Sequence, residues 1–99
     1  MNIMPDTPPI VIGGVDTHLD LHTAAVVTTD GTVLDTASFA TTRQGYRRLL
    51  AWMRSHGHVD RVGVECTGTY GAGLVRLLGR EGIPVLEVTG PDLAARSAK

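Results

Sequence analysis

The sequence predicts an α/β domain built on a mixed five-stranded sheet, numbered along the chain and ordered 3-2-1-4-5 across it, with helices packed on the sheet. Three observations predict it. Short hydrophobic runs of strand length come first and helical spacing comes later; an Asp-Gly pair divides two early runs; and each helical segment leads into another strand-like run. The chain has 99 residues, 42% of them hydrophobic and 19% charged, which is enough for one hydrophobic core and unlike a disordered tail.

Residues 1–9 are polar and proline-bearing without periodicity, and are expected to be a flexible leader before a domain over 10–99. Ile10-Val11-Ile12-Gly13-Gly14-Val15 is continuously apolar up to Asp16, the pattern of a central strand buried on both faces. Strands two and three are expected at His22 to Thr28 and Thr32 to Phe39, with Asp30-Gly31 supplying positive backbone dihedrals for a tight antiparallel hairpin. Thr41-Thr42-Arg43-Gln44 has the form of a capping box. Behind it Tyr46, Leu49, Leu50 and Met53 share one helical face, Trp52 flanks that face as a partly buried helix residue, and Gly57 can end the helix. Val62-Gly63-Val64-Glu65 reads as strand four, and the turn Thr67-Gly68-Thr69-Tyr70-Gly71 leads to a second helix on which Leu74, Leu77 and Leu78 align, closed by Gly82. Pro84 to Val88 is strand five, and Gly90-Pro91-Asp92 reads as the opening of a third helix.

Right-handed crossovers through the two helices put strands four and five on the far side of strand one from the hairpin. Strands one and four then run parallel and side by side, so Asp16 and Glu65 close them at one edge. Carboxylates that close repel unless a proton or a cation lies between them. Oxygen donors of this kind suit Mg²⁺ or Mn²⁺, ions that assist phosphoryl transfer. The bland alternative is a turn aspartate and a local cap.

The net charge of −1 conceals an asymmetry: residues 1–42 carry five acids and no base, and all nine basic residues lie from Arg43 onward. Arg43, Arg47 and Arg54 fall within about 40° on the first helix, and Arg76 and Arg80 lie one turn apart on the second. Such rows can hold nucleic-acid phosphates, although they also simply solvate a helix. The alternating Asp16, His18, Asp20 and His22 would share a side if extended, a possible four-ligand site; a bend before strand two would scatter them. His56 and His58 suit a helix terminus, and the amides of the Thr67-Gly68-Thr69 turn could meet an anion. No apolar run approaches the roughly 20 residues of a membrane-spanning helix. With no secretory leader and a lone Cys66, a cytoplasmic protein without internal disulfides is expected.

Three separated segments carry a resemblance. Gly14-Val15-Asp16-Thr17-His18-Leu19-Asp20-Leu21-His22-Thr23-Ala24-Ala25-Val26, then Thr42-Arg43-Gln44-Gly45-Tyr46, then Val62-Gly63-Val64-Glu65-Cys66-Thr67-Gly68-Thr69-Tyr70-Gly71 resemble, in register, the start of the DEDD-type insertion-sequence transposases. Leu19 stands where relatives often carry Lys, and Cys66 where Gly is common. The resemblance implies a RuvC-like domain of the ribonuclease H fold, with Asp16 and Glu65 as the first two of four metal-binding acids and Mg²⁺ or Mn²⁺ as cofactor. It implies DNA as substrate, strand cleavage and exchange in transposition, a homo-oligomer in the full-length protein, and a structured guide RNA in some members. The family's later aspartates and a serine-bearing second domain follow the basic stretch at which this sequence stops, so the chain is expected to be an inactive N-terminal portion. Two other readings compete. An actin-like, ATP-dependent sugar kinase also opens with a strand ending in Asp and a hairpin, but it needs a glycine turn where Thr17-His18-Leu19-Asp20 has none. A non-catalytic remnant that only folds or binds its partners is the third.

Overall fold

The computed structural model describes residues 8–66 and 70–89. Among them the elements are β1 (Ile10–Thr17), β2 (Leu21–Thr28), β3 (Val33–Ala40), α1 (Arg43–Arg54), β4 (His58–Cys66), α2 (Ala72–Arg80) and β5 (Val85–Thr89). The sheet runs β3-β2-β1-β4-β5, the order and class expected of a ribonuclease H-like domain. β1 and β3 each pair antiparallel with β2, whereas β4 lies parallel to both β1 and β5. The opening of a third helix at Gly90 lies outside the described residues.

The β2–β3 hairpin differs in detail from the expected one. Only Gly31 takes a positive φ, +92°, because Thr28 and Thr32 pair across the loop and leave three residues between them. Asp30 instead caps the turn: its carboxylate accepts from the Thr28 hydroxyl and, at 3.2 Å, from the Thr32 amide. Those donors, the Thr28 hydroxyl foremost, hold its pKa below the ordinary carboxylate value.

β1 corrects a second expectation. Burial alternates along it, with Val11, Gly13, Val15 and Thr17 inside and Asp16 exposed, so among the described residues one face is covered and not two. The cause is topological: consecutive right-handed crossovers in one direction along a sheet lay both helices on the same side. There Leu49, Met53, Leu74 and Leu78 are fully buried with Val11, Val26, Val62 and Val64, each such side chain stabilising the fold by about 1.5–3 kcal/mol. Gly13 permits the close approach of α1, since a Cβ there would stand 2.6 Å from the Met53 sulfur.

Helix α1 is capped one residue later than the pattern predicts. Thr42, extended at φ −130°, accepts from the Gly45 amide at 3.0 Å, whereas the Thr41 hydroxyl donates to the Leu19 carbonyl at 2.8 Å. Gln44 therefore has no capping-box place. β4 starts at His58, well before Val62, because the His58 amide donates to the Pro9 carbonyl at 2.7 Å and Val59 is buried. His58 is thus a strand residue and not a helix terminus. Trp52 is partly buried as expected, packed on Phe39 with its Nε1 donating to Asp35 at 3.1 Å. His56 lies 3.4 Å from the same carboxylate. The Trp52 donor, with the Thr36 amide and the His56 ring, holds the Asp35 carboxyl below its ordinary value.

Candidate active site

The parallel register of β1 and β4 places Asp16 directly beside Glu65, on strands about 4.8 Å apart. Because side chains alternate, both carboxylates rise on the face opposite the helices. They stand at the end of a depression of about 390 Å³, whose other lining residues include Gly14, Ala25, Gly63 and Val88. Asp16 is exposed and Glu65 half-buried. Neither forms an ion pair with an arginine or lysine among the described residues.

Thr17, one residue on, points the other way into the core and is 2% exposed. Its hydroxyl donates to the Glu65 carbonyl at 2.6 Å, tying the last residue of β1 to the strand end that carries the second acid. The sequence reading missed this residue. Its only signal was a β-branched hydroxyl directly after the aspartate, which many strands carry.

The four-ligand reading is overturned. Among the described residues no group of three or more His, Cys, Asp or Glu side chains is placed to hold one ion. His18 remains at the rim, its Nε2 4.0 Å from an Asp16 oxygen. His22 does not: antiparallel pairing sets it opposite Thr17, so it shares that residue's buried face. It is 0% exposed, stacked on Tyr46 with ring centroids 5.6 Å apart. Neither ring nitrogen has a partner of hydrogen-bond geometry among the described residues.

Burial therefore pushes the His22 pKa below its ordinary 6.5, helped by the nearby His18 and only partly opposed by the Leu21 backbone. In the unfolded chain this imidazole binds a proton at higher pH than in the folded one. Stability is thus full above pH 6.5 and falls as the pH drops through the window down to the depressed folded value. Denaturant titrations between pH 8 and pH 5 are expected to show this loss, and His22→Phe, which keeps the ring stack, should flatten it; identical pH profiles would contradict the assignment.

The chemistry of the donor set fits a hard divalent cation. Both side chains offer carboxylate oxygens, on adjacent strands, with solvent on one side for the waters such an ion retains. The predicted basic residues lie elsewhere. Arg43, Arg47, Arg76 and Arg80 line one cavity of about 700 Å³ between α1 and α2. Arg54 leaves that set: its guanidinium lies 3.3 Å from Glu81. The Thr67-Gly68-Thr69 turn is outside the described residues.

No curated protein matches the sequence. Among solved structures, Pelota from Archaeoglobus fulgidus superposes with a TM-score of 0.56 at 12% identity, over 86% of this chain and 28% of that one. That likeness shows the fold alone, and this chain spans little more than a quarter of Pelota's length. The profile of the DEDD-type IS110 transposases, described as "Transposase", matches residues 13–99. No helix of the described residues is long and apolar enough to cross a membrane. With the strand order, the paired acids and this match over most of its length, the chain belongs to the IS110 family of DEDD transposases.

Proposed function

We propose that this domain contributes two metal-holding carboxylates, Asp16 and Glu65, to divalent-cation-dependent cleavage and exchange of DNA strands in the cytoplasm. The observation that carries the reading is the register that sets the two acids side by side on an open sheet edge. When bound, Mg²⁺ or Mn²⁺ supplies a Lewis acid to a phosphodiester. The chain's own residues do the rest. Asp16 and Glu65 hold the cation, Thr17 fixes the backbone under Glu65, and the small side chains at Gly14, Ala25 and Gly63 leave room for a strand to lie against the sheet. Transposase membership favours this reading over the kinase lobe. In the full-length protein it carries with it a homo-oligomer and, as in some relatives, a structured guide RNA.

Two carboxylates without further ligands bind Mg²⁺ weakly. Calorimetric titration of the 99-residue chain is expected to give a Kd on the order of millimolar, lost in Glu65→Gln, and the chain alone should leave supercoiled DNA intact. Tight Mg²⁺ binding that survives Glu65→Gln would contradict the proposal, and robust Mg²⁺-dependent cleavage by this chain would contradict the expectation that it needs further metal-binding acids.

A further inference from the structure

The two helices turn their arginines toward each other. Arg43 and Arg47 of α1 and Arg76 and Arg80 of α2 face one groove, and none of them forms an ion pair among the described residues. Among the described residues no acidic side chain lines it. The groove exists because Tyr46 wedges between the sheet and α2: its ring stacks on His22 on one side and meets α2 at Gly73 on the other, where an added Cβ would come within 2.8 Å of the ring. At the far end Arg54 is neutralised by Glu81, so the unpaired positive charge runs from Arg43 at the rim to Arg80 at the end of α2.

Its position relative to the acids follows from topology. β1, β3 and β4 end at one rim, and α1 and α2 both start there. The groove therefore begins at the rim that bears Asp16 and Glu65, but runs along the helical face, with the sheet between it and the depression beside the carboxylates. Successive arginines on each helix are one turn, about 6 Å, apart, and packed helices are separated by about 8–10 Å. A seam between two packed helices, with charge on both walls, suits a single backbone rather than a duplex. Tyr70, exposed at the rim end, offers a face on which one base can stack.

We propose that this groove holds the phosphodiester backbone of a single DNA strand, so that the domain engages two DNA segments, one at the acidic rim and a second, uncleaved one along its helices. The choice of DNA rests on the transposase family; the site itself is independent of the metal reading, and its test is run without metal.

Fluorescence anisotropy with a labelled oligothymidylate of about 16 nucleotides, in EDTA and over a range of salt, tests it. Arg76→Gln/Arg80→Gln is expected to weaken binding at low salt by about tenfold or more and to reduce the log–log salt slope by about 1.4. Arg48→Gln/Arg61→Gln makes the same charge change outside the groove and should weaken binding less than about threefold, because exposed charges that do not contact the strand act on it only through salt-screened attraction. Equal losses in the two arginine pairs would overturn the groove. Tighter binding of the matching duplex would overturn the single strand, and tighter binding of the matching RNA would overturn DNA. A normal result here with no metal binding at Asp16 would sink the active-site reading alone.

Discussion

If the proposed function holds, Asp16→Asn is expected to reduce DNA strand cleavage by a transposase carrying this domain by at least about 10²-fold, the scale on which removal of one group stabilising developing charge acts. The substitution keeps the shape of the side chain and removes the negative charge that would hold a cation. It also relieves repulsion between neighbouring acids in the metal-free protein. Activity and stability should therefore move in opposite directions: cleavage disappears while the melting temperature without metal stays level or rises. Gel-based cleavage and calorimetry on the same preparation check both. A variant that is both inactive and less stable would point to a structural aspartate instead.

Gly45→Ala is expected to destabilise the fold by about 3 kcal/mol or more, at the upper end of overpacked sites. In an exposed helix the same change would gain about 1 kcal/mol from helix propensity. Here the first turn of α1 presses on the end of β3, and a Cβ would stand 1.9 Å from the Ala40 carbonyl oxygen and 2.8 Å from its carbon. Backbone on both sides cannot yield as a side chain can, so the clash outweighs the propensity. For a chain of this size the melting temperature should drop by more than about 12 °C. Gly79→Ala is the matched control, because nothing lies within 4 Å of its Cβ position in α2, and it should raise stability by roughly 0.5–1 kcal/mol. Similar behaviour of the two variants would refute the packing account.

These two positions also show how far the sequence could be read. The adjacency of Asp16 and Glu65 was legible because it follows from a hairpin signal and two crossovers, and strand topology leaves few alternatives once those are granted. Gly45 was not legible as a contact site. Its neighbour, Ala40, is positioned by the register of β3, which no local pattern encodes. The cap differs for a related reason: Gln44 makes Thr41 the better match to the pattern, but the Leu19 carbonyl, just before the neighbouring strand β2, takes the Thr41 hydroxyl and leaves the cap to Thr42. His22 opens the expected second strand and stands among four alternating candidate ligands. Its burial depends on standing opposite Thr17 rather than Asp16, a shift of one residue that moves a side chain to the other face. The apolar run in β1 suggested cover on both faces, but its isoleucines and Gly14 face the side that the helices leave open among the described residues. The arginines were recognised as two rows, one per helix. That they line a common groove depends on the contact between Tyr46 and Gly73, a tertiary event.

The account stands on a cation shared by the ends of β1 and β4, and paramagnetic broadening by Mn²⁺ in amide-resolved NMR spectra reads that location directly. Substoichiometric Mn²⁺ should erase the Asp16 and Glu65 signals and those of their immediate neighbours first, and Glu65→Gln should abolish the selectivity. Broadening centred on His56 or Asp35 on the helical side, or spread evenly over all the acidic residues, would contradict it.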